Sequence, residues 1–323
     1  MVTSKRRKGE VKMHISVALD RCIELLSPAI AQSATPIFVD ATLGFGGHSE
    51  ALLNKFPNLT VIGIDRDLSA ISKAGSRLAP FGNRVHLAHS VFDRFNEVVK
   101  SFGYSHIDAA LFDLGVSSMQ LDEAERGFSY SQNAPLDMRM DQSQGITAEE
   151  IVNTWSHAEL TKILRVYGEE KFAPRIADFI IREREVAPIT TTGFLAALVK
   201  SAIPAAARRT GGNPAKRTFQ AIRIAVNNEL ALIESALPQA LDLLNVGGRL
   251  VVLSFQSLED RIVKDIFNKA TQSSSPKHLP VELPEAAAKF KLVAKGEAAS
   301  DTEIAANSRA QSVRIRAVER VAA

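Results

Sequence analysis

With 323 residues, 46% hydrophobic and 23% charged, the chain has a globular balance and length enough for one large domain or two ordinary ones, which sets wholesale disorder aside. Its one cysteine, Cys22, excludes an internal disulfide and a cysteine metal cluster. The net charge of +3 says little about partners until its distribution is read, and the basic start Lys5, Arg6, Arg7 and Lys8 leads into no apolar stretch of signal-peptide or membrane-span length, so a soluble cytoplasmic protein with no membrane partner is expected.

From Ile37 onward, short β-branched apolar runs alternate with helix-length amphipathic stretches. Ile37 to Thr42 predicts a strand, Ser49 to Phe56 a helix, Thr60 to Asp65 a strand and Leu68 to Leu78 a helix; Arg84 to Ala88 predicts a strand, Arg94 to Phe102 a helix and Ile107 to Asp113 a strand. Strands joined through single helices imply right-handed crossovers and a parallel sheet covered on both faces. His86 and His89 lie three apart in one of these strands and so on opposite faces, which argues against a histidine metal pair. The rhythm then stops until Arg249 to Phe255, and the gap is far longer than one crossover needs. Within it Ala148 to Val166, Phe172 to Arg184 and Gly193 to Ala202 have helical spacing, so an inserted, mostly helical unit is expected from Met119 to Thr218. A helix over Phe219 to Leu244, broken or kinked near Pro238, returns the chain to the sheet. A helix from Leu258 to Lys269, a Ser/Pro-rich loop over Thr271 to Pro284 and strands at Lys289 to Ala294 and Val313 to Val318, paired as a hairpin, complete the expectation.

The first strand runs into Asp40-Ala41-Thr42-Leu43-Gly44-Phe45-Gly46-Gly47-His48, a turn whose glycines let backbone approach a ligand and whose following helix offers unpaired N–H groups. Taken alone, such a turn is equally a sign of tight packing. Ser49 occupies the third glycine position of the dinucleotide pattern, which counts against a nicotinamide enzyme. Asp65 ends the second strand, where a carboxylate accepts hydrogen bonds from ribose hydroxyls. Phe92, just past the third strand, is either ordinary core or a face for an adenine ring. Asp113 ends the fourth strand, at the carboxyl edge where ligands of open α/β sheets collect. Because S-adenosylmethionine carries a positive sulfonium, an acidic, partly aromatic pocket suits it better than a phosphate cradle, and no G-x-x-x-x-G-K-[ST] loop is present.

Longer blocks make a resemblance specific. Alongside the glycine-rich turn stand Ile64-Asp65-Arg66-Asp67, Asp113 to Asp122, Glu125-Arg126-Gly127-Phe128-Ser129, Pro135 to Asp141, Tyr167-Gly168-Glu169-Glu170, Arg217 to Ile224 and Ser257 to Lys264. In this order, across nearly the whole chain, the sequence resembles the MraW family of bacterial ribosomal RNA small subunit methyltransferases. The resemblance implies a Rossmann-like class I methyltransferase sheet, residues 1–118 and 219–323, with an inserted helical substrate-recognition domain over 119–218. It implies S-adenosylmethionine as cofactor and N4-methylation of a cytidine in the decoding region of 16S ribosomal RNA, free or within the 30S subunit. A homodimer is compatible with it. By matching positions the cofactor contacts are Gly46, Gly47, His48, Asp65, Phe92, Asp113 and Gln120.

The chain departs from the family pattern at Ser16, at Ser308 and Gln311, and at Gln256, which stands where the family has histidine and does not titrate near neutral pH. The tetrad Asp-Pro-Pro-aromatic of many amino-methyltransferases is replaced by Asp113-Leu114-Gly115-Val116, so residue chemistry alone does not select N4. Asp113 is the candidate acceptor for the target amine. Between Glu185 and Glu229 no acidic residue occurs, while Lys200, Arg208, Arg209, Lys216, Arg217 and Arg223 do, four of them around Gly211-Gly212-Asn213-Pro214; phosphate contacts are expected there. Asp137, Arg139 and Asp141 are either internal salt bridges or groups that hold the target base. Two other readings stay open: a methyltransferase acting at another RNA position, and a ribosome-assembly factor that binds the cofactor.

Overall fold

The computed structural model describes residues 16–209, 212–273, 275 and 287–323. The basic start, His14, Gly211 and most of the Ser/Pro-rich loop lie outside the described residues. Seven strands form one sheet: β1 (Ile37–Asp40), β2 (Thr60–Asp65), β3 (Val85–His89), β4 (Ile107–Asp113), β5 (Leu244–Ser254), β6 (Phe290–Glu297) and β7 (Arg314–Arg320). Their order is β3-β2-β1-β4-β5-β7-β6. The first five are parallel, and β7 runs antiparallel between β5 and β6. This is the doubly wound sheet expected, with the reversed strand of class I methyltransferases.

Period-two alternation sorts the strand residues into two cores. On one face Val39, Ile62, Ile64, Ala110, Phe112, Leu250 and Val252 pack beneath the helices Phe95–Ser101, Glu229–Leu243 and Ser257–Ala270. On the other, Phe38, Val61, Leu111, Val251 and Leu253 pack beneath Leu19–Ala31, Gly47–Lys55 and Leu68–Leu78. With both faces covered, the central strands read as unbroken apolar runs, which is why they are recognisable without alternation.

A third core lies wholly outside the sheet, built by the helices Ala148–Thr154, His157–Val166, Ala173–Val186 and Thr192–Ala202 against the first half of Lys216–Asn227. The single helix expected over Ala148 to Val166 is two: Ser156 accepts from the Glu159 N–H while Glu159 Oε2 accepts from the Ser156 N–H at 2.8 Å, and this capping box restarts the helix. The break expected near Pro238 lies ten residues earlier. Asn228 adopts the left-handed conformation (φ 52°) between Lys216–Asn227 and Glu229–Leu243, and Pro238 sits inside the latter. The terminal strand pair forms as expected, but a helix, Asp301–Ala306, and the 3₁₀ turn Ser308–Ser312 join its arms. No helix among the described residues is long and apolar enough to cross a membrane.

Candidate active site

The chain winds one way from β1 to β3 and the other from β4 to β5, so the carboxyl ends of β1 and β4 part at the switch point. Two carboxylates organise the glycine-rich turn there. Asp40 is buried and accepts from Ser49 Oγ at 2.7 Å; burial pushes it up to about 6 against that bond. Asp65 takes the Gly44 N–H on Oδ2 (2.8 Å) and the Asp67 N–H on Oδ1 (2.9 Å), tying the turn to the end of β2, and burial likewise raises it to about 6. Each carboxylate oxygen carries two lone pairs, so Asp65 retains acceptor capacity for a ribose. Gly46 caps the following helix at φ 72°, and a Cβ there would sit 3.1 Å from Leu78 Cδ1. A Cβ on Gly47 would collide with Ser16 Oγ.

Three cavities meet at the switch point. The largest, about 300 Å³, is lined by Gly47, His48, Asp113, Gln220, Arg223 and Glu259 among others. The second, about 60 Å³, brings Asp65, Phe92 and Gln120 together, and the third, about 30 Å³, lies among Arg66, Phe92, Glu229 and Glu259. Gly115, at φ 95°, lines all three. Of the residues expected at the cofactor, Gly47, His48 and Asp113 thus face the large cavity, and Asp65, Phe92 and Gln120 the adjoining one. Gly46 faces neither; it shapes the turn. His48 Nε2 lies 3.0 Å from the Val17 carbonyl, and Gln120 uses Nε2 on Asp67 (3.2 Å) and Oε1 on the Ser117 N–H (3.0 Å).

The floor of the large cavity is acidic. The Asp113 N–H donates to Thr42 Oγ1 (2.6 Å), while its carboxylate has no hydrogen-bond partner among the described residues. Burial, then the Asp40 and Glu259 carboxylates, push Asp113 up to about 8. Glu259, also raised by burial, is held by the N–H groups of Phe255 (2.8 Å) and Gln256 (3.3 Å) and by Gln256 Nε2 (2.9 Å). Arg223 forks onto Glu229 at 2.8 Å through both Nε and Nη2. An unpartnered carboxylate beside a glycine turn, with the Asp40 and Glu259 carboxylates as the charges that act on it, fits the sulfonium and ammonium of S-adenosylmethionine. Among the described residues no His, Cys, Asp and Glu group is arranged to hold a metal. Gln256 spends its amide N–H on Glu259, so the position that departs from the family pattern serves here to fix a cavity carboxylate.

The residues expected at the RNA divide. Lys216 begins the helix whose 216, 220 and 223 positions share one face, and all three line the large cavity. Arg217 donates to the Glu169 carbonyl (3.1 Å) and Arg208 to the Ile203 carbonyl (2.7 Å), and neither lines the cavity; Arg209 ends the 3₁₀ turn Ala207–Arg209. Asp137 and Arg139 form a bidentate pair (2.9 and 2.8 Å) outside all three cavities. Asp141 accepts from Ser143 and Gln144. Sequence reasoning did not single out Gly44, Gln220, Glu259 or Arg309 as site residues, nor Arg223 as more than part of a basic run; all five line the large cavity. Glu259 and Arg223 stand in family-like blocks, which was the available signal.

The model of the MraW methylase family matches residues 11–321. Proteins described as ribosomal RNA small subunit methyltransferase H are similar to this chain: one from Salinispora arenicola is 56% identical over 97% of this chain and 85% of its own. One from Saccharopolyspora erythraea is 56% identical over 95% and 93%, and one from Thermobifida fusca 53% identical over 98% and 96%.

Proposed function

We propose, from the premise that this chain belongs to the MraW methylase family, that it methylates N4 of a cytidine in the decoding region of 16S ribosomal RNA. It is an S-adenosylmethionine-dependent methyltransferase; the atom and the nucleotide are the inference. The observation that carries it is the unpartnered Asp113 carboxylate at the end of β4, facing a cavity that the glycine-rich turn also lines.

S-adenosylmethionine supplies an electrophilic methyl group on a sulfonium. Asp65 has the acceptor capacity for ribose hydroxyls, Phe92 an apolar face for adenine, and Gly47 and His48 supply backbone to the same cavity as Asp113. Cytosine N4 is a poor nucleophile because its lone pair is delocalised into the ring, and the base must leave its stack to reach a cavity. Asp113 accepts a hydrogen bond from the amine, localises that lone pair and receives the proton that N4 loses when it gains the methyl. Alignment and exclusion of water supply most of the remaining acceleration. The helices over 119–218 act as the substrate-recognition domain; their own apolar core and Lys216 at the cavity support this.

The test is incubation with labelled S-adenosylmethionine and under-methylated small subunits, followed by nucleoside analysis. N4-methylated cytidine is the expected product. Another labelled nucleoside overturns the position, and cofactor binding without label favours an assembly role.

A further inference from the structure

The large cavity is acidic at its floor and basic at its exposed lining. Asp113 and Glu259 lie inside, whereas Lys216 and Arg309 line the same cavity from two unrelated elements: the first turn of Lys216–Asn227 and the 3₁₀ turn Ser308–Ser312. The second turn is held in place locally, since Asn307 Oδ1 accepts the Arg309 N–H at 3.2 Å and Ala310 is fully buried. Lys216 has no carboxylate partner among the described residues. Arg309 Nη2 reaches both oxygens of Asp122 (3.0 and 3.1 Å), but the two side chains remain 40% and 70% exposed. An ion pair that open contributes little, so the contact with Asp122 is readily given up for one with another anion. A planar fork suits a phosphodiester better than any other group of a polynucleotide.

We propose that Arg309 is an RNA-binding residue that exchanges Asp122 for a phosphodiester of the substrate strand, beside Lys216, as the target base enters the cavity. Charge is thereby sorted along one axis: the cofactor cation and the amine at the acidic floor, the backbone anion at the basic mouth. The inference rests on the proposed RNA substrate but not on which base atom is methylated. Asp122 then holds the arginine in place while no RNA is bound.

The experiment measures the Kd of the full chain for under-methylated small subunits across a salt series, with wild type, Arg309→Gln, Arg309→Lys and Asp122→Asn. Arg309→Gln is expected to weaken binding about tenfold and to flatten the slope of log Kd against log salt by roughly 0.7–0.9. Arg309→Lys is expected to retain most of that slope, and Asp122→Asn to bind as tightly as wild type or about twofold tighter. Cofactor Kd stays within twofold throughout. A purely structural Arg309–Asp122 bridge predicts instead that Asp122→Asn weakens RNA binding as Arg309→Gln does; that result, or an unchanged Arg309→Gln, overturns the proposal. Should Arg309→Gln fail to fold, Asp122→Asn still decides: binding as tight as wild type or tighter upholds the proposal, and weaker binding overturns it. The nucleoside labelled by wild type tests the N4 assignment separately, so either conclusion can fail without the other.

Discussion

Asp67 and Arg126 face each other at 2.7 Å with 5% of each side chain exposed. Asp67 Oδ1 caps the helix Leu68–Leu78 through the Ser69 N–H (3.0 Å), and Oδ2 also takes Gln120 Nε2 (3.2 Å). Arg126 spends Nη2 on the carbonyls of Arg139 (3.0 Å) and Met140 (2.8 Å). One buried pair therefore couples the end of β2, the Gln120 contact and the Asp137–Arg139 loop. Removing one partner strands the other, which costs about 3–5 kcal/mol. Arg126→Met is expected to lower stability in urea by that order, and to loosen cofactor binding through Gln120.

Asp113 links cofactor affinity to pH. Its folded pKa of about 8 stands above the unfolded 3.8, so the fold favours the protonated form; that contribution to stability is present at low pH and lost as pH rises through about 8. A cation prefers the ionised carboxylate, so cofactor binding must drive a proton off. Affinity for S-adenosylmethionine is expected to rise with pH between about 6 and about 7.5, by up to roughly tenfold per unit, with proton release visible by calorimetry in two buffers. Asp113→Asn should bind with a flat pH profile. A flat wild-type profile would show that Asp113 is already ionised without ligand.

Gly47 is required by a contact rather than by its φ. Gly47→Ala drives Cβ into Ser16 Oγ, displacing the segment that brings the Val17 carbonyl to His48. Cofactor affinity is expected to fall at least about tenfold, the equivalent of roughly 1.4 kcal/mol. The double variant Ser16→Gly/Gly47→Ala should recover much of the loss, as measured by calorimetric titration; no recovery would point to a direct ligand clash at Gly47.

Asp137 and Arg139 satisfy each other, so a contact with the target base has to involve the pair as a unit. Asp137→Asn, Arg139→Gln and the double variant are then expected to raise the KM for RNA by similar amounts, a strongly non-additive cycle. If all three leave KM unchanged, the pair belongs to the loop's architecture alone.

The sheet was legible because buried parallel strands announce themselves as apolar runs and because β1, β2 and β4 each end at an aspartate. Leu19–Ala31 was not read as a helix: Pro28 interrupts its pattern, and Ala18, in a left-handed conformation, offers no side-chain cap. The break at Asn228 had a local signal, since asparagine tolerates the left-handed region, but Pro238 was the louder one. Asp65 and Asp113 were visible as strand-end carboxylates. Gln220, Glu259 and Arg309 were not, because each is remote in the chain from the glycine-rich turn and reaches the cavity only through the packing of its own element.

Gly115 forms part of the wall of all three cavities, so a cofactor reaching from Asp65 to Asp113 and a base directed at Asp113 would both rest against the same stretch of backbone. Two ligands so placed are not independent guests: whatever factor the first adds to the affinity of the second, the second returns to the first. Such reciprocity needs no moving lid, because each ligand would complete the wall against which the other rests.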